Sequence, residues 1–176
     1  VFHKDLIKYL PNFSHNKIYV ATFGEYRSFI KKELKNDNSH FYSKYCSWLK
    51  ERNINHPDII SISKAKRNNI SLIINKLSYS NLNALFIAPG RSKKNLPISE
   101  NILFYNTYTV QKEIYPILTK SKSLIGYIGH YNISVPTSLY MYASFGIPII
   151  GLDIEPVNSI LNEYLIGEII YNHTQL

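Results

Sequence analysis

Short apolar runs alternate with amphipathic stretches along most of the chain. The apolar runs predict strands at 17–23, 59–62, 84–88, 101–105, 123–128, 148–152 and 168–171. The stretches between them, whose apolar residues recur every three or four positions, predict helices at 26–34, 40–51, 64–77, 110–119, 139–143 and 157–165. Strands that alternate with helices are typical of a parallel sheet with helices on both faces. We therefore predict an α/β fold, a three-layer domain around a mostly parallel sheet.

Ligands of such Rossmann-like sheets bind beyond the carboxyl ends of the strands. The residues that follow the predicted strands are glycine or polar, and they include Gly24 and Arg27, Gly90 and Arg91, Asn106 and Thr107, Gly129 and His130, and Asp153 and Glu155. We predict that these residues share one edge of the sheet with Thr137. An arginine guanidinium suits bidentate contact with phosphate, and the alternative is an ordinary exposed arginine. A histidine could bind a sugar hydroxyl or donate a proton, or have no role.

The segment 135–148, VPTSLYMYASFGIP, predicts a short helix that docks against the buried strand after it. Thr137 or Ser138 can cap its first turn, and Gly146 can end it in the left-handed conformation. The free N–H groups of a helix N-terminus beside the strand ends form a ready anion site. The segment therefore indicates a phosphate-bearing ligand, with Thr137 and Ser138 either contacting that ligand or only capping the helix.

The same segment resembles the signature P-x-K-L-x-E-Y-x-A-x-G-x-P-[VI]-[VI] in the C-terminal, donor-binding domain of GT-B glycosyltransferases of the bacterial cell-surface polysaccharide type. The positions in register are Pro136, Leu139, Tyr142, Gly146, Pro148, Ile149 and Ile150. Two departures from the signature matter. The lysine of the family is Ser138 here, and the acidic residue that usually holds the donor ribose is Met141.

The resemblance implies transfer of a sugar from a nucleoside diphosphate donor, UDP-linked, to a saccharide or another hydroxyl acceptor, with no metal or other cofactor. It implies that loop cations such as Arg27 and Arg91 neutralise the leaving diphosphate, and that the loop of Asn106 and Thr107 holds the nucleobase. Glu155 either contacts the donor or, at the start of the next helix, favours the helix dipole.

The resemblance also implies how the chain is divided into domains. Residues 17–176 would form the donor-binding domain, and residues 1–16 a linker or the end of a preceding domain. The catalytic groups, which the sequence does not identify, would come from that N-terminal domain or from a partner subunit.

Positive charge is concentrated in the first part of the chain. The net charge is +8, yet every Lys and Arg lies at or before Lys122, and the only charged residues after it are Asp153, Glu155, Glu163 and Glu168. This asymmetry favours a polyanion or an anionic membrane surface as a partner of the first part, or a solvated basic face. A second hypothesis is therefore a catalytically silent basic module that partners a glycosyltransferase or an anionic polymer. A third is another enzyme of the same shape, such as a nucleotide-sugar epimerase.

Several other classes find no support in the sequence. The phosphate-loop, dinucleotide and serine-hydrolase motifs are absent, as are nucleic-acid-binding signatures, so no nucleic-acid partner is expected. No apolar run reaches the ~18 residues of a membrane-spanning helix, which favours a cytoplasmic protein, at the inner face of the membrane if the basic part binds lipid. A single cysteine, Cys46, excludes internal disulfides and cysteine-built metal sites, and we predict that it is buried.

Overall fold

The computed structural model describes residues 40–63, 70–90, 96–107, 111–120, 123–129 and 135–171. These residues form a six-stranded sheet in which every neighbouring pair is parallel. The strands are β1 (Ile59–Ile62), β2 (Ala84–Ile87), β3 (Ile102–Tyr105), β4 (Ile125–Ile128), β5 (Ile149–Leu152) and β6 (Gly167–Ile170). The helices are α1 (His40–Glu51), α2 (Ile70–Leu77), α3 (Gln111–Lys120), α4 (Thr137–Ser144) and α5 (Val157–Tyr164). The predicted α/β fold is confirmed, whereas the strand and helix predicted within residues 17–34 lie outside the described residues.

The strands occur in the order β3-β2-β1-β4-β5-β6. This is the order of the doubly wound Rossmann folds, in which the chain runs outwards from β1 in one direction and then returns to run outwards from β4 in the other. All four residues of β2 are buried, because a strand inside a parallel sheet is covered on both faces and becomes apolar throughout. The strong apolar runs of the sequence are a consequence of this double coverage.

Two hydrophobic clusters lie on the two faces of the sheet. The smaller cluster packs α2 against β1, β2 and β3 through Ile73, Ile74 and Phe86. The larger cluster joins α1, α3, α4 and α5 to the opposite face, where Ile60 and Leu85 are fully buried. Both clusters place helices against the sheet, so the described residues have the predicted three layers.

Helix α1 lies over the outer strand β3. The Trp48 Nε1–H donates to the Glu100 carbonyl at 3.0 Å, and the Phe41 ring meets Tyr105 edge-on with 4.8 Å between centroids. Phe41, Tyr45 and Trp48 recur at the spacing of one helix face, and all three are buried. Cys46 lies off that face and is exposed. The prediction of a buried cysteine is therefore wrong, because the apolar neighbours in sequence point in other directions around the helix.

Candidate functional site

The candidate site lies at the point where the strand order reverses. In sheets of this order, ligands bind in the crevice beyond the carboxyl ends of β1 and β4. Here that space, the switch-point crevice, is bordered by Ser63 after β1, Gly129 after β4 and the N-terminus of α4. Because α4 connects parallel strands β4 and β5, it runs back from the carboxyl edge, and its first residue, Thr137, lies at that edge. Ser63 was not among the predicted site residues, although its position directly after an apolar run was a usable signal.

The structure gathers part of the predicted set on one edge. Gly90, Asn106, Thr107, Gly129, Thr137, Ser138, Asp153 and Glu155 all belong to the connections at the carboxyl ends of the strands. Gly24, Arg27, Arg91 and His130 lie outside the described residues. The shared edge follows from the parallel topology, which brings the carboxyl end of every strand to the same side.

The gathered residues nevertheless lie on two sides of the crevice. Asn106 and Thr107 follow β3, the outermost strand, whereas Thr137 follows β4, three strand positions away. With neighbouring strands ~4.8 Å apart, the two positions are separated by roughly 14 Å. The Gly90 N–H donates to the Asn106 carbonyl at 3.0 Å, which joins the β2 and β3 ends. A ligand that touched Thr107 and Thr137 together would have to be extended, like a nucleotide.

The first turn of α4 differs from its predicted form. The N-cap is Pro136, with φ −69° and ψ 137°, and no side chain caps the helix. Thr137 and Ser138 are already helical residues, so neither caps the turn, and the capping prediction is wrong. Thr137 is exposed, whereas Ser138 is only 6% exposed. An anion at this end would therefore meet the backbone N–H groups and the Thr137 hydroxyl, with the Ser138 side chain turned inwards.

The far end of α4 agrees with its prediction. Gly146 has φ +68°, in the left-handed region that glycine adopts at low cost. Its N–H donates to the Ala143 carbonyl at 3.0 Å, and the Ile147 N–H donates to the Tyr142 carbonyl at 3.0 Å. These bonds satisfy carbonyls that the end of a helix would otherwise leave without partners. The chain can then turn directly into β5.

Polar side chains before α5 form bonds within their own segment. The Ser159 hydroxyl donates to Glu155 Oε2 at 2.6 Å, and Asn158 Nδ2 donates to Asp153 Oδ1. Asn162 Nδ2 in turn donates to Asn158 Oδ1 at 2.7 Å. The Glu155 carboxylate thus binds a side chain of the helix that follows it, an arrangement that favours the helix-stabilising interpretation of this residue over donor contact.

Met141, at the position of the ribose-binding acid in the resembling family, is a core residue. Its side chain is 6% exposed and belongs to the larger hydrophobic cluster. A buried thioether is a weak hydrogen-bond acceptor. The position therefore offers no strong acceptor for ribose hydroxyls.

Tyr142 is a buried residue beside the crevice that the sequence did not single out for chemistry. It is completely buried, and its ring lies against Gly126 of β4. The Ile62 N–H donates to the Tyr142 hydroxyl at 2.9 Å, and that hydroxyl donates to the Ile60 carbonyl at 3.3 Å. Burial raises the pKa of the Tyr142 hydroxyl above its ordinary value, with a smaller opposing effect from the Ile62 N–H. A glycine in the middle of a strand was the sequence signal for a ring packed against it.

Two surface cavities lie at the opposite, amino-end edge of the sheet. One, of about 420 Å³, lies where α4 and α5 end and β5 and β6 begin, and its lining includes Pro148, Leu165 and Glu168. The other, of about 360 Å³, has Arg52, Ser80 and Glu100 in its lining. Neither touches the switch-point crevice. Within the described ranges there is no group of three His, Cys, Asp or Glu side chains placed to hold a metal ion.

Comparison with known proteins adds no assignment. No family model and no curated protein sequence matches this chain. None of the helices among the described residues is long and apolar enough to cross a membrane.

Proposed function

We propose that this chain is the donor-binding half of a GT-B-like glycosyltransferase, which binds a nucleoside diphosphate sugar, UDP-linked, in the switch-point crevice. The observation that carries the proposal is the location of α4. The helix of the signature-like segment begins at the carboxyl edge, beside the reversal of the strand order. That is where sheets of this order bind their ligands, and where a donor diphosphate would meet free N–H groups.

The donor would lie across the crevice in an extended form. Its diphosphate would bind the first-turn N–H groups of α4 and the Thr137 hydroxyl, and its base would reach towards Asn106 and Thr107. The separation of about 14 Å between these positions, three strand spacings, suits a nucleoside diphosphate. Arg27 and Arg91 are the proposed counter-charges for the diphosphate.

The proposed reaction is a substitution at the anomeric carbon of the sugar. A bond forms between the acceptor hydroxyl oxygen and that carbon, and the bond from the carbon to the diphosphate oxygen breaks. The hydroxyl proton passes to a base, and negative charge develops on the leaving nucleoside diphosphate. Oriented N–H groups and guanidinium groups stabilise this charge without reorganising. An N-terminal domain or a partner subunit would bring the saccharide acceptor and the base.

A catalytically silent binding module is the second candidate. The burial of Ser138 and Met141 favours it, because the positions of the lysine and the acid in the resembling family are occupied by inward-facing side chains. Such a module would keep the fold and the basic first part of the chain and would stabilise a partner transferase or bind an anionic polymer. The two candidates differ in whether the isolated chain binds a nucleotide.

A thermal-shift series with UDP, GDP, ADP and UDP-sugars tests the proposal. A ligand present at 100 times its dissociation constant stabilises a protein by roughly 2.7 kcal/mol, or about 5–10 °C in Tm for a chain of this size. We expect this shift with UDP and a UDP-sugar and a smaller one with ADP. Calorimetry then gives the UDP Kd. No shift with any nucleotide, together with a shift produced by heparin, would support the silent module instead.

A further inference from the structure

The pairing between β1 and β4 stops early. Their register covers Ile59 with Ile125 and Ile60 with Gly126, and no further pair. On its other side β1 pairs with β2 up to Ile62, and β4 pairs with β5 up to Ile128. The two central strands therefore separate before their carboxyl ends, and the separation opens into the switch-point crevice.

The Tyr142 hydroxyl occupies this separation. In a parallel sheet, alternate residues of a strand direct their backbone groups to the same neighbour, so Ile60 and Ile62 direct theirs towards β4. The Ile62 N–H donates to the hydroxyl at 2.9 Å, and the hydroxyl donates to the Ile60 carbonyl at 3.3 Å. A hydroxyl has one donor and two acceptor sites, so it can make both bonds at once. The Tyr142 hydroxyl thus provides a partner for the Ile62 N–H, which lies beyond the last β1 residue that pairs with β4.

The ring reaches this place because β4 carries no side chain under it. A Cβ on Gly126 would lie 2.7 Å from Tyr142 Cγ, closer than atoms can approach. Gly126 of β4 therefore packs against the Tyr142 ring, whose hydroxyl binds the end of β1. Ser63 follows β1 directly. The same short helix carries Thr137 at its other end.

We propose that Tyr142 is a positioning residue for the ligand site. Its hydroxyl holds the carboxyl end of β1 against α4 and so sets the width of the crevice between Ser63 and the N-terminus of α4. This inference rests on the proposed function, because the ligand in question is the nucleoside diphosphate that would occupy the crevice. Losing the hydroxyl frees the end of β1 without touching any group that would contact the ligand.

The test compares Tyr142→Phe with Tyr45→Phe. The first variant keeps the ring and removes the hydroxyl from between Ile60 and Ile62. The second removes the hydroxyl of another buried tyrosine of the same hydrophobic cluster, on α1. Two quantities are measured well below the Tm of each variant: the hydrogen-exchange rate of the Ile62 amide by NMR, and the UDP Kd by calorimetry. We expect at least tenfold faster exchange and at least tenfold weaker UDP binding in Tyr142→Phe, and neither change in Tyr45→Phe.

The outcomes separate this inference from the proposed function. A wild type that binds no nucleotide overturns the proposed function and this inference with it. A wild type that binds UDP, beside a Tyr142→Phe that binds it equally well, overturns the inference alone and leaves Tyr142 a core residue. Unchanged exchange at Ile62 overturns it too. If Tyr142→Phe does not fold, the wild-type protein is titrated with UDP and followed by NMR. We expect UDP to shift the amide resonance of Ile62, and an unshifted resonance at saturation overturns the inference.

Discussion

At the scale of single residues, Gly126 is a position where the fold depends on a missing side chain. The Tyr142 ring over it cannot move aside, because its hydroxyl is bound to β1. We expect Gly126→Ala to lower the free energy of unfolding by about 1–3 kcal/mol, the usual cost of overpacking, measured by urea denaturation. Gly151→Ala is the matched control, since its Cβ would meet the side-chain ends of Leu161 and Val157 at 2.8 and 2.9 Å. Leu161 Cδ1 lies at the end of a side chain that no hydrogen bond holds, so we expect a smaller loss in Gly151→Ala, and an equal loss in both variants would contradict the argument.

Met141 gives a second prediction at this scale. Met141→Glu introduces an acid, as in the signature that the segment resembles, at a buried position where an unpaired carboxylate is costly. We expect it to destabilise the fold by at least ~2 kcal/mol, and the loss should grow as the pH rises above ~4.3, the ordinary pKa of glutamate. Met141→Leu, which nearly keeps the volume, should cost less than ~1.5 kcal/mol. A Met141→Glu variant with wild-type stability and tighter UDP binding would show that this position faces the ligand.

A third prediction at this scale concerns stability at alkaline pH. The folded state raises the pKa of Tyr142 above the value of about 10 in an unfolded chain, so the folded protein keeps its proton where the unfolded one loses it. The stabilisation is complete below pH ~10 and is lost as the pH rises through that value and beyond. Urea denaturation between pH 8 and 11 should therefore show falling stability in the wild type. The fall should be shallower in Tyr142→Phe, which has no proton to lose there, and an identical slope would refute this account.

At the scale of elements, α4 allows helix stability and ligand binding to be separated. Pro136 has ψ 137°, which suits a residue before proline, and Thr137 is the first helical residue, where proline is favoured. Thr137→Pro should therefore leave the Tm within a few degrees of the wild-type value. It removes one N–H and one hydroxyl from the proposed diphosphate contact, worth about 1.5–3 kcal/mol each when the acceptor is charged. Calorimetry should show UDP binding weakened by at least tenfold.

Thr137→Val is the control for that experiment. It removes the hydroxyl and keeps the N–H, so it should weaken UDP binding less than Thr137→Pro does. If the two variants bind UDP as tightly as the wild type, the N-terminus of α4 is not the diphosphate contact.

The same helix shows where sequence reasoning succeeds and fails for an element. Its existence and its left-handed end at Gly146 were predictable, because helices commonly end at a glycine in the left-handed conformation. Its start was misplaced by the expectation that Thr137 or Ser138 could cap it, whereas Pro136 has the extended conformation of an N-cap. The inward direction of Ser138 and Met141 depends on how the helix packs on the sheet, which the local pattern does not contain.

At the scale of the whole molecule, the alternation of strands and helices was sufficient to predict the sheet. The shared edge of Asn106, Thr137 and Asp153 then follows from parallel strands alone. The order of the strands could not be predicted, since an apolar run does not identify its neighbours. For that reason the distance between Asn106 and Thr137, and the separation of β1 from β4 at Tyr142, emerge only from the structure.

The strand order also distributes the charge of the chain in space. Residues 123–171 supply β4, β5 and β6 on one side of β1 and contain no Lys or Arg. The side formed by β1, β2 and β3 comes from the part of the chain that holds every cation. Among the described residues, the side formed by β4, β5 and β6 therefore carries the acids Asp153, Glu155, Glu163 and Glu168 and no Lys or Arg.

The short pairing of β1 with β4 predicts the order in which the parts of the sheet form during folding. Ile59 of β1 pairs with Ile125 of β4 on one side and with Ala84 of β2 on the other, and Gly126 of β4 pairs with Ile149 of β5. The separation along the chain is much larger for the first pair than for the other two. Closing that long loop gains only two hydrogen-bonded residue pairs, so we expect the two three-stranded halves to form first and to meet late in folding. In stopped-flow experiments Gly126→Ala should then accelerate unfolding and hardly change the folding rate, whereas Leu85→Ala, within one half, should slow folding. The pairing of β1 with β4, beside which a ligand would bind, is thus the part of the sheet that we expect to form last in folding and to break first in unfolding.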